Sequence, residues 1–310
     1  MSANLGALSE SPTRTPQPSE VRSRARRSGP AWLASLRRAR LAPLGVVLLV
    51  VLLLCAIFAG QIAPYDPNQV QVVNRLKPPF WMDGGSLAHP LGTDQVGRDL
   101  LSRVIFGARI SMVVGVSTVV VAGVIGTLLG VFAGYRRGWP DSVIMRLGEI
   151  QLAFPLILLA IAVLAVLGPG VNNLILVLGT YGWVIYARVV RAQTLSWREK
   201  EFVDAARCMG ASSTRIMLRH ILPNVYASLI VIASFAMATN VLAEASLSFL
   251  GLGAPPNVPS WGAMLAGARD YLQDAWWLAT FPGIALMLTI LSINLVGDWL
   301  RDYLDPRLRI

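Results

Sequence analysis

Six stretches of this chain are almost wholly apolar and about as long as a membrane crossing. They lie at roughly 41–60, 111–134, 144–168, 172–190, 225–250 and 276–297. A helix needs about 20 such residues to cross the hydrocarbon core of a bilayer. A soluble fold would have to bury several of these stretches inside one 310-residue core. Charge is correspondingly scarce. Only 14% of the residues are charged and 55% are hydrophobic, whereas soluble domains carry about 25% charged residues. The pattern predicts an all-α, multi-pass membrane protein with six transmembrane helices.

The basic residues supply an orientation. The net charge is +10, and 25 of the 27 basic residues are arginines. They sit between the apolar spans, not along one aromatic-studded face. They therefore read as topology signals beside membrane lipid, not as a nucleic-acid surface. Six crossings put both termini on one side. With the termini inside, 21 of the 27 basic residues fall in the inner segments 1–40, 136–146, 188–219 and 301–309. The outer loops hold Arg75, Lys77, Arg98, Arg103, Arg109 and Arg269. The positive-inside rule then favours an N-in, C-in arrangement.

This divides the chain as follows. Residues 1–40 are rich in Ser, Pro and Arg and read as a basic, flexible cytoplasmic tail. The first span, 41–60, is full-length and lies too far from the start for a signal peptide, so it is expected to stay uncleaved. Residues 61–110 form an outer loop with an interfacial helix, 111–297 a core of five spans, and 298–310 a cytoplasmic tail. A second outer segment, 251–275, is rich in Pro and Gly; it is either a plain connection or a surface that receives substrate from an outside partner. Gly126, Gly130 and Gly134 recur every four residues in the second span, the pattern that lets helix backbones approach closely in lipid. Pro155 and Pro282 fall inside the third and sixth spans and should kink them. Cys55 and Cys208 are expected as two free thiols, one in the first span and one in the cytoplasm. His89 and His220 show no metal-ligand spacing, and no cofactor is implied. Trp261, Trp276 and Trp277 fit an aromatic belt at the outer interface.

The most informative segment is 195–224, LSWREKEFVDAARCMGASSTRIMLRHILPN. It is long for a connection between bundle helices, which usually takes about 2–8 residues. Phe202, Ala205, Ala206 and Met209 repeat at helical spacing, and Gly210 breaks the pattern. Ser212 or Ser213 can cap a second short helix whose apolar face is Ile216, Met217 and His220 to Leu222. Pro223 is expected to end it. The segment is thus read as two short amphipathic helices with a glycine hinge, held outside the bilayer and suited to docking in a groove on a soluble partner.

Asp204-Ala205-Ala206, then Gly210, then His220-Ile221-Leu222-Pro223 resembles the cytoplasmic motif of importer permeases of the ATP-binding cassette class. The usual form begins with Glu and ends Ile-x-Leu-Pro; here Asp204 replaces the Glu and His220 the Ile. Four further stretches resemble the dipeptide, oligopeptide and nickel branch of that class. They are HPLGTDQVGRDLLSRVIFGARISM at 89–112, AFPLILLAIAVLAVLG at 153–168, EASLSFLGLGAPPNVPSWGAML at 244–265 and GDWLRDYLDPRL at 297–308. The first is similar to the subunit usually encoded second of a permease pair. The resemblance implies a multi-pass subunit of a bacterial inner membrane importer of short peptides or related solutes. It also implies that Asp204, Ala205, Ala206, Gly210, Leu222 and Pro223 couple it to an ATPase. The partners implied are a second, homologous permease chain, two ATP-binding cassette ATPase subunits and an extracytoplasmic solute-binding protein.

The chain has no GxxxxGK[ST] phosphate loop, so any ATP hydrolysis belongs to another polypeptide. Glu149 and Glu244 are the ionisable residues nearest to lying within spans. Glu149 is three residues past Arg146, which suits a local ion pair. Glu244 is open to two readings, a structural pair or a residue lining the translocation path. A secondary transporter would use both as proton carriers, but two related halves are not evident. Asp94–Arg98 and Asp99–Arg103 are spaced i, i+4 and would form ion pairs on an interfacial helix. A catalytic reading of Asp94 and Asp99 lacks a nucleophile and a metal, so the chain is read as non-catalytic.

Overall fold

The computed structural model describes Leu36, residues 41–255 and residues 257–304. The tail expected over 1–40 lies outside these residues except for Leu36, as do the last six residues of the chain. Among the described residues the secondary structure is helical, with no strand beyond the isolated bridge between Thr93 and Asp99.

Helix α1 (Ala42–Ile57) is followed at once by the short α2 (Ala59–Ile62). A long irregular segment leads to α3 (Leu100–Arg136), 37 residues. At 1.5 Å per residue this helix measures roughly 55 Å, well beyond the ~30 Å hydrocarbon core. Next come α4 (Trp139–Leu152), α5 (Leu156–Leu167) and α6 (Val171–Trp197). The short α7 (Glu201–Cys208) precedes α8 (Ser213–Arg215). A wide turn at Ile216–Ile221 joins α8 to α9 (Leu222–Phe249), and α10 (Trp261–Ala268) and α11 (Trp277–Leu304) complete the chain.

Four helical runs are long and apolar enough to cross a membrane: α3, α6, α8 through α9, and α11. The pair α4–α5 makes a fifth if counted as one crossing, although its two halves meet at 87°. A kink was expected within a single span at 144–168. The helix instead breaks, because Pro155 cannot donate its nitrogen and adopts an extended ψ of 133°. Backbone freed in lipid must find partners. The Tyr181 hydroxyl donates to the freed Phe154 carbonyl (3.1 Å), and Gln151 Nε2, donating to the Tyr181 carbonyl (2.9 Å), ties the end of α4 to α6. The α1 helix has 16 residues and is short for a crossing. The supposed tail from 298 is helical as far as Leu304.

The glycine pattern in α3 does what its spacing predicts. Gly126, Gly130 and Gly134 are buried against α6. A methyl carbon on each would lie 2.3 Å from the Trp183 oxygen, 2.7 Å from the Ala187 oxygen and 2.8 Å from the Arg191 oxygen. The two backbones are therefore in contact over two turns and behave as one body. Arg191 also reaches α4, where Nη2 donates to Asp141 Oδ2 at 2.6 Å.

At one end of the bundle a core of Leu100, Ala108, Met112, Val241, Trp261, Met264, Trp277 and Ile293 joins α3, α9, α10 and α11. Trp261 and Trp277 are thus core residues and not part of an interfacial belt. Their indole nitrogens donate to the carbonyls of Val104 (2.9 Å) and Thr93 (3.4 Å). Only Trp276 of the three is exposed. At the other end, Val131, Val190 and Val225 receive residues of α7 and of the turn before α9.

Candidate functional site

The segment with the clearest motif lies at that second end. Its first helix, α7, has Glu201 and Asp204 in its first turn, where acidic groups favour the helix dipole. It stops at Gly210, whose φ of +80° suits glycine. The Gly210 amide donates to the Arg207 carbonyl (2.9 Å) and the Ala211 amide to the Ala206 carbonyl (3.0 Å), the paired bonds of a Schellman stop. Of the two candidate serines, Ser212 is the cap; its hydroxyl accepts from the Arg215 amide at 3.4 Å.

The expected second short helix does not end at Pro223. It runs on as the first turns of the long helix through Phe249. The wide turn at Ile216–Ile221, with the Leu222 amide donating to the Met217 carbonyl, explains how. A proline in a regular helix clashes with the carbonyl four residues back and leaves it without a donor. The widened register before Pro223 absorbs that clash.

Of the repeat Phe202, Ala205, Ala206 and Met209, only Ala206 turns to the chain's own core. Val203 and Ala206 point inward, against Ile216, Ile221, Val131 and Val190. Phe202, Ala205 and Met209 face out, and Met209 is 81% exposed. A side chain on Gly210 would meet nothing within 4 Å. Asp204 and Pro223 are exposed and Leu222 is half-buried. The outer surface of α7 is thus an unfilled apolar stripe beside the Asp204-Ala205-Ala206 motif. One cation–ring contact joins α7 to α3, and polar bonds lie within and beside α7. Arg207 Nη1 donates to Asp204 Oδ1 at 2.8 Å, and its guanidinium lies 5.7 Å from the Tyr135 ring centre. Arg198 lies at the same distance and donates to the Tyr135 carbonyl at 2.5 Å. Arg137 and Glu199 form a further ion pair. Tyr135 gave no motif signal in the sequence, because its partners come from different elements.

At the opposite end, residues 89–99 are not an interfacial helix. They form a tight turn that ends in a cap. Asp94 Oδ1 accepts from the Val96 amide (3.0 Å) and the Arg98 amide (2.9 Å). Gly97 has φ +80°, and a methyl carbon there would lie 1.9 Å from the Gln71 oxygen. Asp94 does pair with Arg98 (2.6 Å), but Arg103 approaches Asp94 (3.7 Å) and not Asp99. Asp99 instead caps α3. Its Oδ2 accepts from the Ser102 amide (2.8 Å) and hydroxyl (2.7 Å), and its Oδ1 faces His89 Nδ1 (2.9 Å). The carboxylate separates the imidazole from the hydroxyl, so the three do not form a nucleophile–base pair. Among the described residues no group of His, Cys, Asp or Glu is suited to a metal. Cys55 and Cys208 are both free.

The two carboxylates nearest to lying within spans, Glu149 and Glu244, are placed differently. Glu149 pairs with Arg146 at 3.3 Å on an exposed face, as its spacing predicts. Glu244 is wholly buried. Its Oε2 accepts from Ser111 of α3 (3.2 Å) and its Oε1 from Ser248 (2.8 Å). In this conformation it joins α3 to α9 and faces no open path.

Residues 126–310 match the model of the binding-protein-dependent transport system inner membrane component family. Residues 31–79 match that of the N-terminal transmembrane domain of oligopeptide transport permease C. The chain is 44% identical over 265 residues to the di/tripeptide transport system permease protein DppC of Pseudomonas aeruginosa, covering 86% of this chain and 88% of that one. It is 45% identical over 273 residues to the glutathione transport system permease protein GsiD of Escherichia coli, covering 88% of each. A putative peptide transport system permease protein of Brucella suis is 46% identical over 275 residues, with 89% and 90% covered. Among solved structures, a chain of the MetNI methionine ABC transporter in inward-facing conformations superposes with a TM-score of 0.54. That chain is 18% identical, and the match covers 66% of this chain and 96% of it.

Proposed function

The chain belongs to the family of binding-protein-dependent transport system inner membrane components, and from that premise we propose how it works within an importer. It is a multi-pass inner membrane permease subunit of an ABC importer and carries no catalytic role of its own. The cargo is a short peptide, in keeping with the di/tripeptide, peptide and glutathione systems of its relatives. The full assembly contains a second, homologous permease chain, two ATPase subunits and an extracytoplasmic binding protein.

The observation that carries this reading is the outward stripe of Phe202, Ala205 and Met209 beside Gly210. An apolar helix face left open to water, held outside the apolar spans, is suited to a groove on a soluble partner. We assign that partner as the ATPase and that end of the bundle as cytoplasmic. The clustering of basic residues in 136–146 and 188–219 supports the same side. With α1 and the bent α4–α5 pair both counted, the chain crosses six times, N-in and C-in. ATP binding closes the ATPase dimer, and α7 passes that displacement to the α3–α6 body, which has two arrangements to choose between. Glu244 meets the path only in a conformation where α3 and α9 separate at Ser111.

Reconstitution of the full assembly tests this. Gly210→Pro, or deletion of 202–212, should abolish peptide uptake while leaving membrane insertion intact. Uptake driven by a proton gradient alone, without ATPase chains, would overturn the importer reading. The proton-coupled alternative has little to use here, with Glu149 in an exposed ion pair and Glu244 enclosed.

A further inference from the structure

From the packing around Tyr135 we infer that this ring is a positioning element that hands movement of α7 to α3, alongside the apolar cluster of Val203 and Ala206 with Val131. The inference rests on the coupling role of α7 proposed above and names the contact through which that role operates.

The helix α7 has two covalent attachments, to the end of α6 through residues 198–200 and to α8 through Met209–Ser212. Neither leads to α3. Tyr135 stands in the last turn of α3 and is half-buried. Two guanidinium groups approach its ring, each 5.7 Å from the centre: Arg198 from just past the end of α6 and Arg207 from α7. Arg198 also donates to the Tyr135 carbonyl at 2.5 Å, so α6 holds the backbone of that residue. Arg207 in turn is held by Asp204 at 2.8 Å, the acidic residue of the Asp204-Ala205-Ala206 motif. The result is a short relay: Asp204, Arg207, the ring of Tyr135, α3. Directly behind Tyr135, Gly134 puts the α3 backbone against Arg191 and Thr194 of α6. Whatever displaces the ring therefore displaces the fused α3–α6 pair.

The attraction between a cation and a ring needs the ring face and the cation, not the phenol hydroxyl. That separates this role from a merely structural one. The test uses the complete transporter in proteoliposomes with di-alanine as the cargo probe, and reads cargo imported per ATP hydrolysed. Tyr135→Leu and Arg207→Met should each lower that ratio roughly two- to fivefold, with unchanged amounts of assembled complex. Tyr135→Phe should restore the wild-type ratio. The double variant Tyr135→Leu with Arg207→Met should be no worse than Tyr135→Leu alone, because the Arg207 contact is already lost there. The inference is overturned if Tyr135→Leu leaves the ratio unchanged, if Tyr135→Phe is as damaging as Tyr135→Leu, or if the two single losses add. Gly210→Pro serves as the reference. If it abolishes uptake while Tyr135→Leu does nothing, only the relay fails. If both leave uptake intact, the coupling role of α7 fails with it.

Discussion

The two ends of the bundle are held by different kinds of contact. Away from α7, the groups that fix the chain are buried: His89, Thr93, Asp94, Asp99, Ser102 and Arg103. Each charged group there meets a partner, and Arg103 Nη1 also donates to the Pro67 carbonyl at 3.0 Å. At the α7 end the apolar contact is one small cluster, and the ion pairs Arg137–Glu199 and Asp204–Arg207 stand in solvent. Buried networks resist partial opening, because a lost partner leaves an unpaired group in a low dielectric. Exposed pairs contribute roughly 0–1 kcal/mol and are screened by salt. One end is thus built to stay as it is, and the other to move with what binds it.

Substitutions can break or sharpen that contrast. Asp99→Ala should be the most damaging. It removes the α3 cap and leaves Ser102 and His89 without their acceptor, a loss of about 3–5 kcal/mol. Thermal unfolding of the detergent-solubilised protein reads it, and an unchanged midpoint would refute the claim that this end is locked. Glu244→Ala comes next, at about 2–4 kcal/mol, since it strands two buried hydroxyls and opens a cavity. Glu244→Gln keeps the shape and should lose less than half of that in the same assay. Gly210→Ala forces a side chain to φ +80° and should lower stability by about 1–2 kcal/mol, although no atom obstructs it. Asp204→Ala should barely move the midpoint, by under about 1 kcal/mol. It should nonetheless depress uptake in the reconstituted assembly. A large stability loss there, or full uptake, would remove the contrast.

The helical class and the α3 seam were legible in the sequence, because each depends on local periodicity. Gly126, Gly130 and Gly134 announce a close helix contact by spacing alone. Phe202, Ala205 and Met209 leave an exposed apolar stripe, while Val203 and Ala206, equally periodic, turn to the chain's own core. Periodicity finds a stripe but does not say whether the stripe meets its own chain or another. The second short helix, expected to end at Pro223, runs on to Phe249 instead. Pro223 breaks a regular helix, and nothing local reveals the widened turn that accommodates it. Residues 89–99 show the limit of charge spacing: Asp94–Arg98 pairs as i, i+4 suggests, yet inside a turn. The Asp99–Arg103 spacing, equally good on paper, gave way to a cap. Long-range partners such as Tyr135 with Arg207 left no trace, since 72 positions separate them.

The unfilled stripe of Phe202, Ala205 and Met209 has a consequence for the economy of assembly in the cell. With the α7 end in the cytoplasm, as proposed above, a copy of this subunit made in excess of its ATPase would carry an apolar surface on the side where chaperones and proteases operate. Such a surface marks the copy as incomplete. On the docking role proposed for this stripe, the ATPase would conceal the mark, and the same three side chains would also police the ratio of the subunits.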